Sequence, residues 1–226
     1  TNKALGMAQT DYVALCDHDD LLSVDAVYWI LDAAENGADL FYSDEDKCTE
    51  DGLTFFDPHL KADYAPDALR SGNYMCHVMG MTTALMRQLG GLRSECDGSQ
   101  DHDLALRASE KAACIAHIPR VLYHWRMLNT SFSHAAEERC AHAASLAVQG
   151  QLDRLKLGGR VQMNLLQPEI EFEIPQTSRI SLIVHGLDHH LNVHWLKVFL
   201  DKTGEDADRI CECILLCDLL PATRRI

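Results

Sequence analysis

The 226-residue chain lacks any uninterrupted apolar run approaching the ~18 residues of a membrane-spanning helix. No signal-peptide pattern is visible either. It lacks clustered bases: 20 Lys and Arg stand against 34 Asp and Glu, a formal charge of -14, and only Arg224 and Arg225 sit side by side late in the chain. Phosphate-backbone binding needs gathered cations, so nucleic acid is not an expected partner. Nine cysteines include no Cys-x-x-Cys pair. An odd number without that spacing fits reduced, mostly buried thiols in a cytoplasmic protein. Cys211, Cys213 and Cys217 share parity on one strand-like run, and a single strand cannot wrap a tetrahedral metal. No low-complexity segment interrupts the chain.

What is present is an ordinary globular balance, 47% hydrophobic and 24% charged, with length for one full core and part of another. Residues 11–16 (DYVALC) read as a buried strand ending in acids. Ser23 is placed to cap a helix over 24–36, with Val24, Val27, Tyr28, Leu31 and Ala34 as its inner face and Gly37 after its end. Residues 38–42 (ADLFY) read as the next strand, again followed by acids. Strand, helix and strand at this spacing predict a βαβ unit in a parallel sheet, with ligands at the strands' carboxyl ends. Residues 47–75 are turn-rich and predict loops. Helices are expected over 82–89, 101–112 and 134–157, and a strand over 114–125. Beyond a linker with a short alternating strand at 160–178, a second β-α-β opening is expected, with strands from 179 and 210 and a helix near 190–202.

Four stretches carry the chemistry: Cys16-Asp17-His18-Asp19-Asp20, Tyr42-Ser43-Asp44-Glu45-Asp46, Gly98-Ser99-Gln100-Asp101-His102-Asp103 and Leu122-Tyr123-His124-Trp125-Arg126. Carboxylates are costly to hold close together unless a cation or a charged substrate answers them. The first stretch can supply hard oxygen ligands, or be a solvated loop before a helix. In the third, Asp101 at a helix start can serve as a base, as an N-cap, or as both; Asp103 is read as structural. In the fourth, His124 is a competent ligand for Mn²⁺-like metals or a packed surface histidine at a strand end, Arg126 can answer a diphosphate, and Trp125 offers a face for a sugar ring. Asp44 and Asp46 can accept paired hydrogen bonds from sugar hydroxyls, or form a plain acidic turn.

In their order and wording these stretches resemble the family 2 glycosyltransferases, in particular the bacterial branch that builds surface polysaccharides, rhamnosyltransferase-like members included. The similarity runs from Thr1 to about Leu157 and takes in Asn2-Lys3-Ala4-Leu5, Asp19-Asp20-Leu21-Leu22, Lys61, Pro66-Asp67, Asn73-Tyr74-Met75, Gly90-Gly91, Gln100-Asp101, Leu106-Arg107 and 117–126. The resemblance implies an α/β fold of the GT-A (Rossmann-like) type and an inverting, metal-dependent transfer. The donor would be a nucleotide-diphosphate sugar and the acceptor a glycan or lipid-linked chain. It makes Asp17 and Asp19 the metal and donor aspartates of a DXD motif, with Asp20 as a spare. It makes Asp101 the catalytic base with Gln100 beside it, His124 a late metal ligand, and Mn²⁺ or Mg²⁺ the cofactor. The family's opening strands have no counterpart here, and 180–218 faintly resembles the start of a second transferase domain. The expectation is therefore a piece of a longer tandem protein: 1–159 the later part of a catalytic domain, 160–178 a linker, 179–226 a second domain's beginning. It would work in the cytoplasm, in peripheral contact with the membrane's inner face if the acceptor is lipid-linked. The rival readings are an inactive remnant or non-catalytic sugar- or nucleotide-binding domain, and a metal-dependent phosphohydrolase.

Overall fold

In the computed structural model, which describes residues 1–127, 134–164, 167–175, 177–187, 210–217 and 224–225, the chain divides into two units, Thr1–Phe172 and Glu173–Ile226. The first is built on a six-stranded mixed sheet: β1 (Tyr12–Leu15), β2 (Leu21–Leu22), β3 (Leu40–Cys48), β4 (Phe55–His59), β5 (Met79–Thr82) and β6 (Ile115–Arg126). The order is β1-β5-β3-β6-β2, with β4 on the later half of β3. The helices are α1 (Asn2–Leu5), α2 (Ala26–Glu35), α3 (Pro66–Ser71), α4 (Thr83–Gln88), α5 (Gln100–Ser109) and α6 (His134–Leu155).

The expected βαβ unit is corrected in one respect. β1 and β3 run the same way, but β5 lies between them, antiparallel to both. Four residues with a glycine among them give little strand signal. Gly80 is there because a Cβ would collide with the ring of Phe41 and the carbonyl of Val13. β3 also outruns its apolar start. It continues through the acids 44–46 to Cys48, because β6 pairs with it in parallel from Leu40 opposite Ile115 to Cys48 opposite Arg126. The turn-rich segment after it is not all loop, since it holds β4 and α3.

The inner face of α2 also differs from expectation. Ala26 and Ala33 are buried, and Trp29 and Ile30 pack with them against Phe41, Ile118, Leu122 and Tyr123. Val24, Val27, Tyr28 and Leu31 are exposed. At the helix start Asp25, not Ser23, is the N-cap residue, and its Oδ2 accepts the Trp29 indole N–H at 2.9 Å. The guanidinium of Arg120 covers the Trp29 ring at 3.7 Å, a cation–π contact that fixes the ring against β6.

On the opposite face, Leu40, Tyr42, Met75, Met79, Met81, Leu104, Leu106 and Val148 form the main core. α4 is capped by Thr82, whose Oγ1 accepts from the Leu85 N–H at 3.1 Å. It stops at Gly90 and Gly91, both with φ of 75°, where glycine is the low-cost residue. Arg107 of α5 donates to the Leu89 and Gly91 carbonyls at 2.8 Å each. Its Nε donates to Asp103 at 2.8 Å, and Arg93 binds the same carboxylate from the other side. Asp103 is fully buried. Burial alone would raise its pKa, but hydrogen bonds from Arg93 and Arg107 reverse this and hold it below the usual carboxylate range.

After α6 the chain forms a hairpin, β7 (Gly159–Asn164) with β8 (Gln167–Phe172). It is tied to α6 by the Val161 N–H donating to the Gln149 side chain at 3.0 Å. Residues 160–172, read as the start of a linker, thus belong to the first unit. In the second unit, β9 (Ile180–Leu187) pairs in parallel with β10 (Ile210–Cys217), and β11 (Arg224–Arg225) is antiparallel to β10. The helix expected at 190–202 lies outside the described residues. No described helix is long and apolar enough to cross a membrane.

Asp103→Asn leaves two buried or half-buried guanidinium groups without their shared anion. The expected cost at neutral pH is about 3–5 kcal/mol, read from urea unfolding of the full chain. Because the folded pKa is depressed, the carboxylate's contribution is present above the unfolded value of about 4. It is lost as pH falls through the folded one. The gap between wild type and variant therefore closes on acidification.

Candidate active site

β1 delivers the chain to the acidic loop at 16–20, and Asp20 fastens that loop to β6. Its Oδ2 accepts the Tyr123 phenol and its Oδ1 accepts the Arg126 backbone N–H at 2.8 Å. The same phenol accepts the Asp17 N–H at 3.1 Å. Burial, then the hydrogen bond to Asp20, pushes the Tyr123 phenol far above its usual pKa, so it stays a donor to that carboxylate. Arg126 turns inward along the loop, its Nε donating to the Asp19 carbonyl at 2.6 Å and its Nη1 to the Glu50 carbonyl. Both Asp20 and Arg126 are thus occupied in shaping the loop. The carboxylates left facing solvent are Asp17 and Asp19, with side chains 67% and 38% exposed.

The acids of β3 divide in the same way. Asp44 is buried; its Oδ1 accepts the Lys61 backbone N–H at 2.8 Å and lies 2.8 Å from Nε2 of His117. Asp46 is paired with His124, Oδ1 to Nδ1 at 2.5 Å, and the imidazole packs on Phe55. Asp46 and His124 face each other because they are register partners across β3 and β6. Among the described residues, Asp17, Asp19 and His124 do not bring their ligand atoms together within 4.8 Å. His124 is committed to Asp46, while Asp17 and Asp19 face solvent. A cation bridging a diphosphate needs only one or two protein ligands of this kind.

Asp101 sits in the first turn of α5. Its Oδ2 accepts from the Asn73 side chain at 3.1 Å, and its Oδ1 from the His102 N–H at 2.9 Å. Next to it lie Cys76 and His77. Two cavities meet at these three residues. One, of about 540 Å³, is also lined by Asn73, Trp125, Cys140 and Pro168. The other, of about 330 Å³, is also lined by Cys16, Asp17, Gln100 and Leu92. His77 spans the two: its Nε2 lies 3.3 Å from Oδ2 of Asp17, and its ring is parallel to that of Trp125 with centroids 6.4 Å apart. Gln100 closes the turn before α5, its Oε1 accepting the Gly98 N–H at 2.8 Å.

The segment bearing Cys76 and His77 is held from beneath by a buried pair. Lys61 donates to the Met75 and His77 carbonyls at 3.2 and 2.8 Å, and its Nζ lies 3.4 Å from Glu45. Glu45 in turn accepts the His77 N–H. Burial lowers the Lys61 pKa, while Glu45 opposes that shift. Sequence reasoning missed Cys76 and His77 as parts of the cleft, and gave Glu45 no role of its own within 42–46. The only signal for Cys76 and His77 was adjacency to Asn73-Tyr74-Met75.

A mixed, curled α/β sheet of this kind, with acids gathered along one rim, is a GT-A fold. Structure 1–349 of S. aureus TarS in complex with UDP-GlcNAc is similar to it, with a TM-score of 0.50 at 14% identity over 67% of this chain and 45% of that one. No family model matches the chain. In sequence it is 39% identical over 205 residues to the uncharacterized protein y4gI of Sinorhizobium fredii (strain NBRC 101917 / NGR234), covering 85% of this chain and 22% of that protein. It is 31% identical over 189 residues to the O-antigen biosynthesis protein RfbC of Myxococcus xanthus, covering 81% of this chain and 15% of RfbC. The chain thus spans about a fifth or less of the length of these curated relatives.

The two classes of acid are separable by stability. Asp20→Ala and Asp44→Ala each strand a buried or half-buried donor, at an expected cost of about 1–3 kcal/mol. Asp17→Asn and Asp19→Asn are expected to stay within about 0.5 kcal/mol of wild type. Denaturant midpoints of the four variants at neutral pH check this.

Proposed function

We propose that the chain is part of an inverting glycosyltransferase that moves a sugar from a nucleoside-diphosphate donor to a glycan or lipid-linked acceptor in surface-polysaccharide synthesis. The observation that carries this reading is the position of Asp101. One carboxylate borders both cavities, one on the side of Asp17 and the other on the side of Trp125. A transfer with inversion needs that arrangement, with donor on one side of the base and acceptor hydroxyl on the other. The O-antigen biosynthesis for which the RfbC relative is named and the UDP-GlcNAc bound to TarS support the same class of chemistry.

In this mechanism the acceptor lies in the larger cavity with a sugar ring against Trp125. Its hydroxyl gives its proton to Asp101 as the oxygen attacks the anomeric carbon, and the nucleoside diphosphate departs on the Asp17 side. Asn73 holds one Asp101 oxygen in place, so the carboxylate is oriented before substrate arrives. Asp17 and Asp19 would hold Mn²⁺ or Mg²⁺, which when bound neutralises charge on the leaving diphosphate. Asp20, Asp44, Asp46 and Arg126 brace the cleft through their hydrogen bonds within the chain. The work is assigned to the cytoplasm, where nucleotide sugars are made, with acceptor contact at the membrane's inner face.

In the intact protein, Asp101→Asn is expected to lower transfer from a UDP-sugar by about 10²–10⁴-fold. Binding of UDP with Mn²⁺, followed by calorimetric titration, is expected to be retained. Asp19→Ala is expected to weaken that metal-dependent binding. Near-normal transfer by Asp101→Asn would remove Asp101 as the base. Binding of UDP with no transfer to any glycan acceptor would favour a non-catalytic binding domain.

A further inference from the structure

We infer that Cys76, His77 and Asp101 form a site for a thiophilic divalent cation, with Zn²⁺ as its best match, separate from the oxygen ligands assigned to the donor metal. Among the described residues they are the group whose ligand atoms fall together, one from each residue and all within 4.8 Å of one another. Sulfur, imidazole and carboxylate are the donor types of a zinc site with three protein ligands and one open position. Mg²⁺ and Mn²⁺ favour hard oxygen ligands over thiolate, so the Cys76 sulfur discriminates by softness.

The three ligands hang from two separate, braced supports. Asp101 is fixed by α5 and by Asn73. Cys76 and His77 are carried on the backbone that Lys61 and Glu45 hold from below. All three are half-buried, and both cavities open onto them, which leaves room for the fourth position. The Asp17 carboxylate, 3.3 Å from His77 Nε2, supplies the kind of outer carboxylate that orients metal-bound histidines. Binding is a simple exchange: the Cys76 thiol proton goes to solvent, the sulfur lone pair goes to the cation, and no oxidation state changes. If Asp101 is the base, as proposed above, a cation held there occupies the carboxylate and stops transfer.

The test uses Co²⁺ as a spectroscopic probe in the full reduced chain. One equivalent is expected to produce a near-ultraviolet thiolate-to-Co²⁺ band that Zn²⁺ abolishes. Cys76→Ser is expected to remove the band, His77→Gln to weaken Co²⁺ binding at least about tenfold, and Cys48→Ser to leave it intact. X-ray absorption of the Zn²⁺-loaded wild type, which needs no variant to fold, is expected to show one sulfur at about 2.3 Å with nitrogen and oxygen neighbours. A band that survives in Cys76→Ser, or a zinc shell without sulfur, overturns the site. Loss of Zn²⁺ inhibition with the band intact would instead count against Asp101 as the base and leave the site standing.

Discussion

The cleft depends on one pairing, the parallel ladder between β3 and β6. It runs from Leu40 opposite Ile115 to Cys48 opposite Arg126, joining strands some 70 residues apart in sequence. Its buried half is core: Leu40, Phe41 and Tyr42 on one strand, Ile118, Leu122 and Tyr123 on the other. Its other half carries charge, and there the register decides which acid meets which partner. Asp46 meets His124 because the ladder places them side by side. Tyr123 and Arg126 reach back to the loop after β1 because β2 pairs with the same strand on its far edge.

Electrostatics then sorts the acids. A chain with a formal charge of -14 cannot leave many carboxylates together in a cleft without partners. Asp20 takes a phenol and a backbone N–H, Asp44 a backbone N–H and an imidazole, Asp103 two guanidinium groups, and Glu45 a buried ammonium. What remains toward solvent and the cavities is a small set: Asp17 and Asp19 on the loop, and Asp101 at the start of α5. The paired acids give those three fixed positions, since the loop and the 75–78 segment would otherwise be held only by their own backbones.

The resemblance read from motifs pointed to the correct fold type, and the structure brings three of its motif residues, Asp17, Asp101 and Trp125, to one pair of adjoining cavities. It was less informative about the individual roles of neighbours. In a run such as Asp17-His18-Asp19-Asp20, spacing does not distinguish an acid that faces a ligand from one that anchors the loop. The difference is a phenol 103 residues away. Likewise Cys76 and His77 have no periodic signature, and only the fold sets them against Asp101.

The sequence by itself determined the elements with strong local signals. These were the strands at 12–15 and 115–126, the long helix from His134, the helix stopped at Gly90-Gly91, and Asp103 as a structural acid. Their hydrophobic runs, caps and glycines act over a few residues and can be read as such. The tertiary structure decided what depends on distant neighbours. It inserted β5 between β1 and β3, where only a glycine admits the Phe41 ring. It drew β3 onward through its acids by pairing them with β6. It turned α2 so that Trp29, not Val27 or Leu31, packs on the sheet. Each of these is a contact between segments far apart in the chain, and local propensity carries no record of them.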